Sequence, residues 1–564
     1  MNAVIAPPKR SRTVIDPPLT TSKFGSTTSR CLVVTMGCLW VAAMALPASA
    51  QPIARGFAGR TLYARGGELL DGRTADAAGL QTAWMKPLSS PGGANSIVDV
   101  AMFVDSQDAV EYLEIESPVA GSETEKRTVM RLRFGTMGPE NRIIDETEAI
   151  RLSSNEMRRM KRRGQTGEVV RKTIPNVMMV SLADDGTLER RDGEDGTAIW
   201  TTRVGNPEFG YGKIGLNGTH VAVDNGSNLI LVDVATGRVP ITVPVGAISS
   251  FGVRIAGQRA VIHSDVGLVE AYDLGDMVRD PFIERVQGSP LFRPMTNIDQ
   301  NEIIWATDRG YLYVGRFNGR PSIPFRLSLT GRVMGGIARA TGHRYFFATD
   351  RGQAYALSTV ADGKVLWSEP LGAPIYARPF IVGDNVIFTT DVGTSFAVDI
   401  NSGDSLWDRP VSGLSELFAT VGDRGYGLSS RGNLVELDVE SAKVRQLGGG
   451  IRPAKIIFND QTDRLYLMDT RGVVQCLRPA NMPFPTMLTQ NDVQPNKPAI
   501  AAAIAKPGAP AATPADPAAD PFGATPDAGG NDPFGGDPFG GGDGGAGGDD
   551  PFGGDPFGGG DPFN

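Results

Sequence analysis

Cysteine is scarce in this chain, which holds three cysteines among 564 residues. Cys31 and Cys38 lie in an apolar segment near the N-terminus, so Cys476 is the one cysteine of the remaining sequence. A single cysteine cannot form an internal disulfide, and the fold must therefore be stabilised by packing. Because Cys476 follows a glycine turn at a position where related segments carry alanine or valine, we predict a small core residue there.

Histidine is equally scarce, and the three residues are His220, His263 and His343. They are far apart and lack the spacing of a zinc site such as HExxH. His263 falls in a predicted strand and is expected to be a partly buried structural residue. No nucleophile elbow, phosphate-binding loop or dinucleotide fingerprint has a convincing context either. The sequence therefore predicts no catalytic, cofactor-binding or metal-binding residue.

Long hydrophobic runs are also lacking, apart from residues 31–46. Basic residues precede this run and Ala48-Ser49-Ala50 follows it, which is the arrangement of a secretory signal. We predict that residues 1–50 are a signal peptide cleaved after Ala50 and that the protein is exported to the periplasm or cell envelope. The alternative is an uncleaved anchor, which would bring membrane contact, although the run is short for a membrane span.

Negative charge is concentrated at the C-terminus. Residues 491–564 hold eleven aspartates and two lysines, a net charge of −9, whereas the whole chain carries −8. Residues 1–490 are thus nearly neutral, and we expect no nucleic-acid partner. Proline, alanine, glycine and aspartate dominate residues 481–564, a composition that predicts a disordered tail.

The tail repeats the tripeptide Asp-Pro-Phe. The repeated phenylalanines could be short anchors for a partner, with avidity arising from repetition. We favour the alternative, a low-complexity spacer whose unit multiplied by duplication. The six copies begin at Asp520, Asp532, Asp537, Asp550, Asp555 and Asp561.

Glycine turns recur through the middle of the chain with a period near forty residues. Short apolar strands flank each turn, and a period of this length with four short strands per unit is typical of a β-propeller. Each glycine is predicted to supply the positive φ that a tight hairpin needs. The eight glycines are Gly186, Gly226, Gly267, Gly310, Gly352, Gly393, Gly432 and Gly472.

Two further positions recur within the units. An aspartate six or seven residues past the glycine is predicted to cap the next turn through its carboxylate. Three units then end a strand in tryptophan, at Trp200, Trp367 and Trp407, and we predict that these residues pack neighbouring blades together. The aspartates are Asp192, Asp233, Asp273, Asp399 and Asp438.

The pattern resembles the quinoprotein-type, or PQQ-like, repeat. The best matches are DRGQAYALSTVADGKVLW from Asp350 and DVGTSFAVDINSGDSLW from Asp391, and the resemblance covers about residues 165–480. It implies an all-β, eight-bladed propeller of four-stranded antiparallel blades over residues 165–480. The family includes both quinone-dependent dehydrogenases and non-catalytic BamB-like envelope proteins, so the repeat specifies fold better than function.

The number of blades depends on how the propeller closes. The last unit ends near Leu477 without an outer strand, and an open edge would leave backbone groups unpaired. A strand at Glu168–Ile174 or one nearer residue 130 could supply the missing edge. If the terminal units merge into one blade instead, the propeller has seven blades.

Residues 51–164 are predicted to form an N-terminal β-rich region, either degenerate blades or a small separate domain. Alternating patterns indicate strands at Ile97–Val104, Val110–Ile115 and Thr128–Phe134, with a hairpin turn at residues 105–108. A short basic helix is expected near residues 154–163. Ser153 and Glu156 would form its capping box, and its basic end complements the helix dipole.

The resemblance leaves three classes of function to consider. A quinone-dependent dehydrogenase would need pyrroloquinoline quinone, calcium ligands and, in that family, commonly a vicinal disulfide, which this sequence lacks. We therefore expect no cofactor and favour a non-enzymatic interaction scaffold of the bacterial cell envelope, binding envelope proteins through the propeller loops. The alternative is a divergent quinone-dependent oxidoreductase, and a third possibility is a propeller that binds carbohydrate or a surface layer.

Overall fold

The computed structural model of the protein describes residues 67–119, 126–360 and 363–488. These residues form two compact units, one of residues 67–112 and 172–488 and a second of residues 113–119 and 126–171. The predicted signal peptide and the tail beyond Leu488 lie outside the described residues. In the described part of the chain, the helices are too short or too polar to cross a bilayer.

Two helices and six strands come first in the chain. A short 3-10 helix, Gly93–Ser96, stands before the second strand. Strands β3, β2, β4, β5 and β6 form sheet 1 in that order. The elements are α1 (Gly72–Ala77), β1 (Leu80–Pro87), β2 (Ile97–Pro118), β3 (Lys126–Arg133), α2 (Glu146–Arg162), β4 (Glu168–Ala183), β5 (Thr187–Asp192) and β6 (Ala198–Arg203).

The next strands form consecutive antiparallel sheets of four, in chain order. Sheet 2 holds β7 (Gly215–Leu216), β8 (His220–Asn225), β9 (Asn228–Asp233) and β10 (Ile241–Pro244). Sheet 3 holds β11 (Ser249–Ala256), β12 (Arg259–Ser264), β13 (Leu268–Asp273) and β14 (Phe282–Arg285). Sheet 4 holds β15 (Met295–Thr296), β16 (Glu302–Ala306), β17 (Tyr311–Arg316) and β18 (Ser322–Ser328).

The same arrangement continues to the end of the described residues. Sheet 5 holds β19 (Ala338–Ala340), β20 (Arg344–Ala348), β21 (Gln353–Ser358) and β22 (Lys364–Pro370). Sheet 6 holds β23 (Phe380–Val382), β24 (Asn385–Thr389), β25 (Thr394–Asp399) and β26 (Val411–Ser412). Sheet 7 holds β27 (Glu416–Val421), β28 (Arg424–Leu428), β29 (Leu434–Asp438) and β30 (Lys443–Gln446). Sheet 8 holds β31 (Lys455–Ile457), β32 (Leu465–Met468) and β33 (Val473–Pro479), with β1 as its outer strand.

Strand β1 closes the last sheet. It runs antiparallel to β33, with Leu80 opposite Pro479 and Pro87 opposite Val473. The closing strands expected at Glu168–Ile174 or near residue 130 were therefore wrong, because β4 and β3 both belong to sheet 1. The backbone groups at the edge of β33 are thus paired by a segment nearly 400 residues away in sequence. Without this pairing they would form an open sheet edge.

The hydrophobic core lies between neighbouring sheets. In one cluster, Leu312 and Val314 of sheet 4 pack against Tyr345 and Phe347 of sheet 5, and all four are fully buried. Each such side chain contributes roughly 1.5–3 kcal/mol on burial. The all-β class and the four-stranded antiparallel sheets predicted from the repeat are thus confirmed in the described residues.

The N-terminal strands depart from the sequence prediction in one respect. Strand β2 runs unbroken through both predicted strands, so the hairpin turn expected at residues 105–108 was wrong. β2 lies beside the long strand β4 in sheet 1, and this pairing keeps both extended. Residues 80–87 and 97–118, predicted to lie in a region before the propeller, thus belong to sheets 8 and 1.

Helix α2 begins earlier than predicted. Its N-cap is Asp145, whose carboxylate accepts a hydrogen bond from the Glu148 amide at 2.8 Å. The capping box proposed for Ser153 was wrong, because the Ser153 hydroxyl lies inside the helix and donates to the Ala149 carbonyl at 2.7 Å. The basic last turn, which contains Arg159, Lys161 and Arg162, ends as expected near residue 163.

The second unit has a core of its own. Leu113 and Ile115 from β2, Leu132 from β3 and Ala149 and Met160 from α2 pack together in it, and all are buried.

Seven of the eight repeat glycines stand between the second and third strands of four-stranded sheets, and Gly186 stands between β4 and β5 of the five-stranded sheet 1. Their φ angles lie in the left-handed region that residues with a Cβ atom resist. The values are +84° for Gly186, +61° for Gly226, +74° for Gly267, +75° for Gly310, +75° for Gly352, +82° for Gly393, +77° for Gly432 and +81° for Gly472.

Candidate functional site

Each four-stranded sheet has two ends, which carry different turns. The glycine turns lie at one end, which we call the glycine-turn end. The turns between the first and second strands lie at the opposite end, because successive antiparallel turns alternate in direction. We call this the first-turn end.

We call the line around which the first strands of the sheets are arranged the axis. Basic residues on these first strands, or two residues before them, lie near one another along it. We call this group the axial cations. Their spacing follows the repeat, with successive intervals of 41, 39, 46 and 39 residues before the last gap of 77. Our sequence reasoning missed them, although the recurring Arg-Pro pairs at residues 293–294 and 378–379 were a usable signal. The axial cations are Lys213, Arg254, Arg293, Arg339, Arg378 and Lys455.

One ion pair crosses the axis near Asp99 of sheet 1. The Arg293 guanidinium, before sheet 4, donates to Asp99 Oδ2 at 3.2 Å and also bonds the Ile214 carbonyl before sheet 2. The same Asp99 oxygen accepts from the Ile214 amide at 3.0 Å. Sheets that are not neighbours therefore converge here.

A second ion pair crosses the axis at Asp460, in the first turn of sheet 8. Arg339 binds both carboxylate oxygens, at 3.2 and 3.1 Å, and Arg378 adds a third contact at 3.0 Å. The Arg378 guanidinium also lies 3.7 Å from the centre of the Phe458 ring. These opposite charges lower the pKa of Asp460 in spite of its burial, which opposes them.

Three axial cations pair with the carboxylates of Asp99 and Asp460, namely Arg293, Arg339 and Arg378. Burial lowers the pKa of Lys213 and of Lys455, and it lowers that of Arg254 well below its usual range. Neighbouring guanidinium groups reinforce the effect at Arg254 and Lys213.

A cavity of about 440 Å³ opens beside this group at the first-turn end. Its wall combines charges of both signs with the apolar rings of Phe380 and Phe458. The charged lining residues are Arg339, Arg344, Arg378, Asp384, Asp423 and Asp460. A second cavity of about 820 Å³ shares Ala340 and Thr341 with it and is lined mainly by polar turn residues. Met487 and Leu488, the last described residues, line the smaller cavity.

The glycine-turn end carries exposed apolar side chains instead. Phe209, Ile248 and Val266 are 52%, 64% and 59% exposed. Phe209 lies against the Gly226 turn of sheet 2, whereas Val266 stands in the Gly267 turn of sheet 3 and Ile248 on the link between the two sheets. Two neighbouring sheets thus present large apolar groups at the same end.

The three predicted packing tryptophans each reach the following sheet. The indole of Trp200 donates to the Val234 carbonyl at 2.6 Å. Trp367 and Trp407 donate in the same way to the carbonyls of Ile400 and Val439, at 3.3 and 2.8 Å. Each acceptor directly follows a repeat aspartate, whose carboxylate accepts hydrogen bonds from the amides of the next turn.

Trp84 makes the equivalent contact between sheet 8 and sheet 1. Its indole donates to the Gly193 carbonyl at 2.9 Å, and its ring lies against Gly196. We missed this residue because it precedes the repeats, although the sequence TAW at residues 82–84 resembles AIW at residues 198–200. In sheet 4, which has no outer tryptophan, Phe325 lies against Gly363 in the same way.

The residues singled out for their chemistry do not come together. His220 bonds its neighbour Thr219 at 2.9 Å, and His343 lies 3.5 Å from Asp299, while Cys476 is fully buried in the core. Burial raises the pKa of the Cys476 thiol well above its usual range. Within residues 67–119, 126–360 and 363–488, no three His, Cys, Asp or Glu side chains are placed to hold a metal ion.

His263 is buried beside Trp305, with ring centres 4.6 Å apart, and its Nε2 atom has no hydrogen-bond partner. Burial, with a smaller effect of Arg254, lowers its pKa to about 3. Between pH 6.5 and 3 the unfolded state therefore binds more protons than the folded state, and stability falls as the pH falls.

We expect His263→Leu to remove this pH dependence. From pH 7.5 to 5 the wild-type protein should lose about 2 kcal/mol more of its free energy of unfolding than the variant. Urea unfolding at both pH values measures the difference. Equal losses in the two proteins would contradict the assignment.

Comparison with known proteins supports the repeat assignment. Residues 296–447 match the family model described as outer membrane protein assembly factor BamB. The crystal structure of BamB from Moraxella catarrhalis is 17% identical, with a TM-score of 0.43 over 54% of this chain and 92% of that chain. The computationally designed Ika8 protein is 13% identical, with a TM-score of 0.40 over 53% and 92%. No curated protein matches the chain.

The matched segment spans sheets 4 to 7, from β15 to the end of β30. It includes both of the sequence stretches in which the repeat was most regular, those that begin at Asp350 and Asp391. Over this segment the match supports the PQQ-like repeat β-propeller family that the sequence pattern predicted.

Proposed function

We propose that this chain is a non-enzymatic protein-interaction scaffold of a bacterial cell envelope, in which each of the eight sheets is one propeller blade. The observation that carries the proposal is the group of exposed apolar side chains at the glycine-turn end, Phe209, Ile248 and Val266. Large apolar side chains exposed at the same end of two neighbouring sheets favour a protein-binding site there.

Rigid turns hold this surface in place. Gly226 and Gly267 keep positive φ angles, and the strands on either side of each turn are buried and fully paired. A partner that docks here would order few side chains, which lowers the entropic cost of binding. The surface therefore suits a binding module better than a mobile loop would.

The envelope role rests on the family. The matching family model is described as an outer membrane protein assembly factor, and residues 1–50 are predicted from the sequence to be an export signal. We propose that the chain acts in outer-membrane protein assembly, in the periplasm or cell envelope. Cells that lack the chain should then contain less correctly folded outer-membrane β-barrel protein.

The divergent oxidoreductase remains the alternative. Calcium in such an enzyme needs free carboxylate ligands. Asp99 and Asp460, the carboxylates at the axis, are each held by arginine, which weighs against that use. Calorimetry with pyrroloquinoline quinone and calcium, followed by a dye-linked alcohol assay, tests the alternative. Saturable binding with turnover would overturn the scaffold proposal.

We expect the triple variant Phe209→Ser, Ile248→Ser, Val266→Ser to lose its envelope partners. Changes at surface side chains that are more than half exposed cost little stability, so the loss should be one of binding. Crosslinking in whole cells, followed by quantitative mass spectrometry, should show a drop of at least about tenfold for those partners, equivalent to 1.4 kcal/mol.

A matched control uses the opposite end of the sheets. Val278 and Val360 are 82% and 59% exposed on turns between third and fourth strands. Changing these two to serine should leave the same partners bound. Equal recovery by the triple variant and this double variant would contradict docking at the glycine-turn end.

A further inference from the structure

The larger cavity at the first-turn end differs in chemical character from the smaller one. Its volume is about 820 Å³, within the range of sites that hold small molecules. The first turns of sheets 2 to 5 line it, together with part of β2 in sheet 1. The apolar surface of Phe209, Ile248 and Val266 lies at the opposite end of the sheets. The proposed scaffold function therefore leaves this cavity without a role.

The wall of this cavity is polar and carries few charges. Among the described residues that line it there is no lysine or arginine, and its carboxylates are those of Asp105 and Asp299. An acidic ligand therefore finds no basic side chain in the wall. Carboxamides dominate instead, and each can both donate and accept hydrogen bonds, as the hydroxyl groups of a neutral ligand do. They belong to Asn217, Gln258, Asn297, Gln300, Asn301 and Asn318.

Two of these carboxamides are held in fixed orientations by their own turns. The Asn217 Oδ1 atom accepts from the amides of Thr219 and His220, at 3.0 and 2.7 Å. The Asn301 Oδ1 atom accepts from Asn297 Nδ2 at 2.7 Å. Because both oxygens are engaged, the Nδ2 groups of Asn217 and Asn301 are left to donate to a ligand. Donors that are already positioned lose little side-chain freedom on binding.

Two residues of the wall have backbone conformations that side chains resist. The φ angles of Gln300 and His343 are +52° and +55°, in the left-handed region. In the first turns of sheets 3, 6 and 7 the residue with positive φ is a glycine, at Gly257, Gly383 and Gly422. Strained positions of this kind cluster at functional sites, where the side chain matters more than the strain. Gln300 and His343 both line the cavity, which points to a ligand there.

Neighbouring segments hold these two residues in place. The Gly257 amide, in the first turn of sheet 3, donates to the Gln300 carbonyl in the first turn of sheet 4. The Thr359 amide donates to the His343 carbonyl at 3.0 Å. The two strained side chains are therefore presented on a backbone that is tied to neighbouring structure, as a preorganised binding site requires.

We propose that this cavity binds a neutral oligosaccharide. Sugars present hydroxyl groups around rings whose faces are apolar, and the wall matches both features. The carboxamides, with Asp299 and Thr341, bond the hydroxyl groups, and Phe103 offers an aromatic ring against which one sugar packs. The lack of basic side chains in the wall selects neutral sugars over acidic ones.

The test measures retention of the full chain on an array of immobilised oligosaccharides. The neutral probes are oligomers of glucose, galactose, mannose and N-acetylglucosamine, and oligogalacturonate is the acidic counterpart. We expect retention on at least one neutral probe and none on the acidic one. Calorimetry with the same sugar in solution should give saturable binding with a Kd of about 1 mM or tighter. Raising the salt from 50 to 200 mM should leave binding unchanged, since no charge of the ligand takes part.

Glycine variants separate binding of the sugar from stability of the fold. Gln300→Gly with His343→Gly should weaken binding by at least about tenfold. The midpoint of urea unfolding should change little, because glycine adopts the left-handed conformation without strain but gains freedom in the unfolded chain. Ala442→Gly is the matched control, since Ala442 has a φ of +54° in a turn of sheet 7 that does not line the cavity. It should leave binding unchanged.

A second variant serves if the double glycine variant unfolds at a lower urea concentration. Gln258→Ala with Asn318→Ala removes two carboxamides of the wall whose side chains are exposed, so the fold should tolerate the change. This variant should also weaken binding of the sugar by at least about tenfold.

Four results would overturn the proposal. They are the absence of retention on every neutral probe, retention on oligogalacturonate alone, binding that weakens with salt, and equal weakening by Ala442→Gly. Tighter binding of oligolysine than of any sugar would also overturn it, because Asp105 and Asp299 would then select a basic ligand. None of these results bears on Phe209, Ile248 and Val266, so this proposal and the scaffold function can fail separately.

Discussion

Trp84→Ala is expected to lower the free energy of unfolding by about 3–5 kcal/mol, the usual cost of removing a buried tryptophan. The side chain is 6% exposed, donates to the Gly193 carbonyl and lies 6.1 Å from the Tyr466 ring. Tyr466 donates to the same carbonyl at 3.1 Å. The change should therefore loosen the contact by which sheet 8 meets sheet 1. Guanidinium unfolding followed by tryptophan fluorescence and circular dichroism measures it.

The neighbouring residue gives a matched control. Met85 lies in the same strand but is 50% exposed, so Met85→Ala should cost less than about 0.5–1 kcal/mol. Equal losses in the two variants would show that β1 contributes through backbone pairing alone. A Trp84→Ala loss below 1 kcal/mol would contradict the assignment of Trp84 as the closing contact.

Arg464→Met is expected to cost a similar amount, about 3–5 kcal/mol, because it leaves buried carboxylates unpaired. Arg464 is fully buried in sheet 8 and bonds Glu194 of sheet 1 at 3.1 Å and Asp463 at 2.8 Å. Burial raises the pKa of Glu194 to about 7, and the Arg464 charge opposes that rise. Without the arginine, Glu194 should take up a proton more readily, so the variant should lose more stability at pH 8.5 than at pH 5.5.

An exposed arginine provides the comparison. Arg471 pairs with Asp469 at 2.9 Å, but its side chain is 80% exposed. Arg471→Met should therefore cost no more than about 1 kcal/mol, as exposed ion pairs do. Thermal and urea unfolding of both variants measure the contrast. A small Arg464 effect without pH dependence would mean that Glu194 and Asp463 are solvated after the change.

The repeated positions were predictable because each depends on a local rule. A tight turn between two strands favours glycine, and the eight glycines were found from spacing alone. The tryptophans were found because they recur after the same turn. Phe325 was missed since phenylalanine replaces tryptophan there without changing the contact.

Other features could not be read in this way because their partners are distant. Strand β1 pairs with a strand nearly 400 residues later, and no local pattern marks that pairing. The start of helix α2 was misjudged since Ser153 and Asp145 are both good caps, and only packing chose between them.

The axial cations have one feature that the sequence shows and one that it does not. These basic residues recur with the repeat, so their spacing could have been noticed in the sequence. Their meeting could not, because Arg293 contacts Asp99 and Arg339 contacts Asp460 across separations of 194 and 121 residues.

The eight glycine turns and the alternating strands around them determine by themselves that this chain is an all-β repeat protein, because turn and strand preferences act over a few residues. Tertiary structure alone decides that β1 completes the last sheet and that six cations face one another along the axis. Both features depend on how the series of sheets closes. Closure brings the first strands together and leaves the edge of the last sheet for a distant segment to pair with.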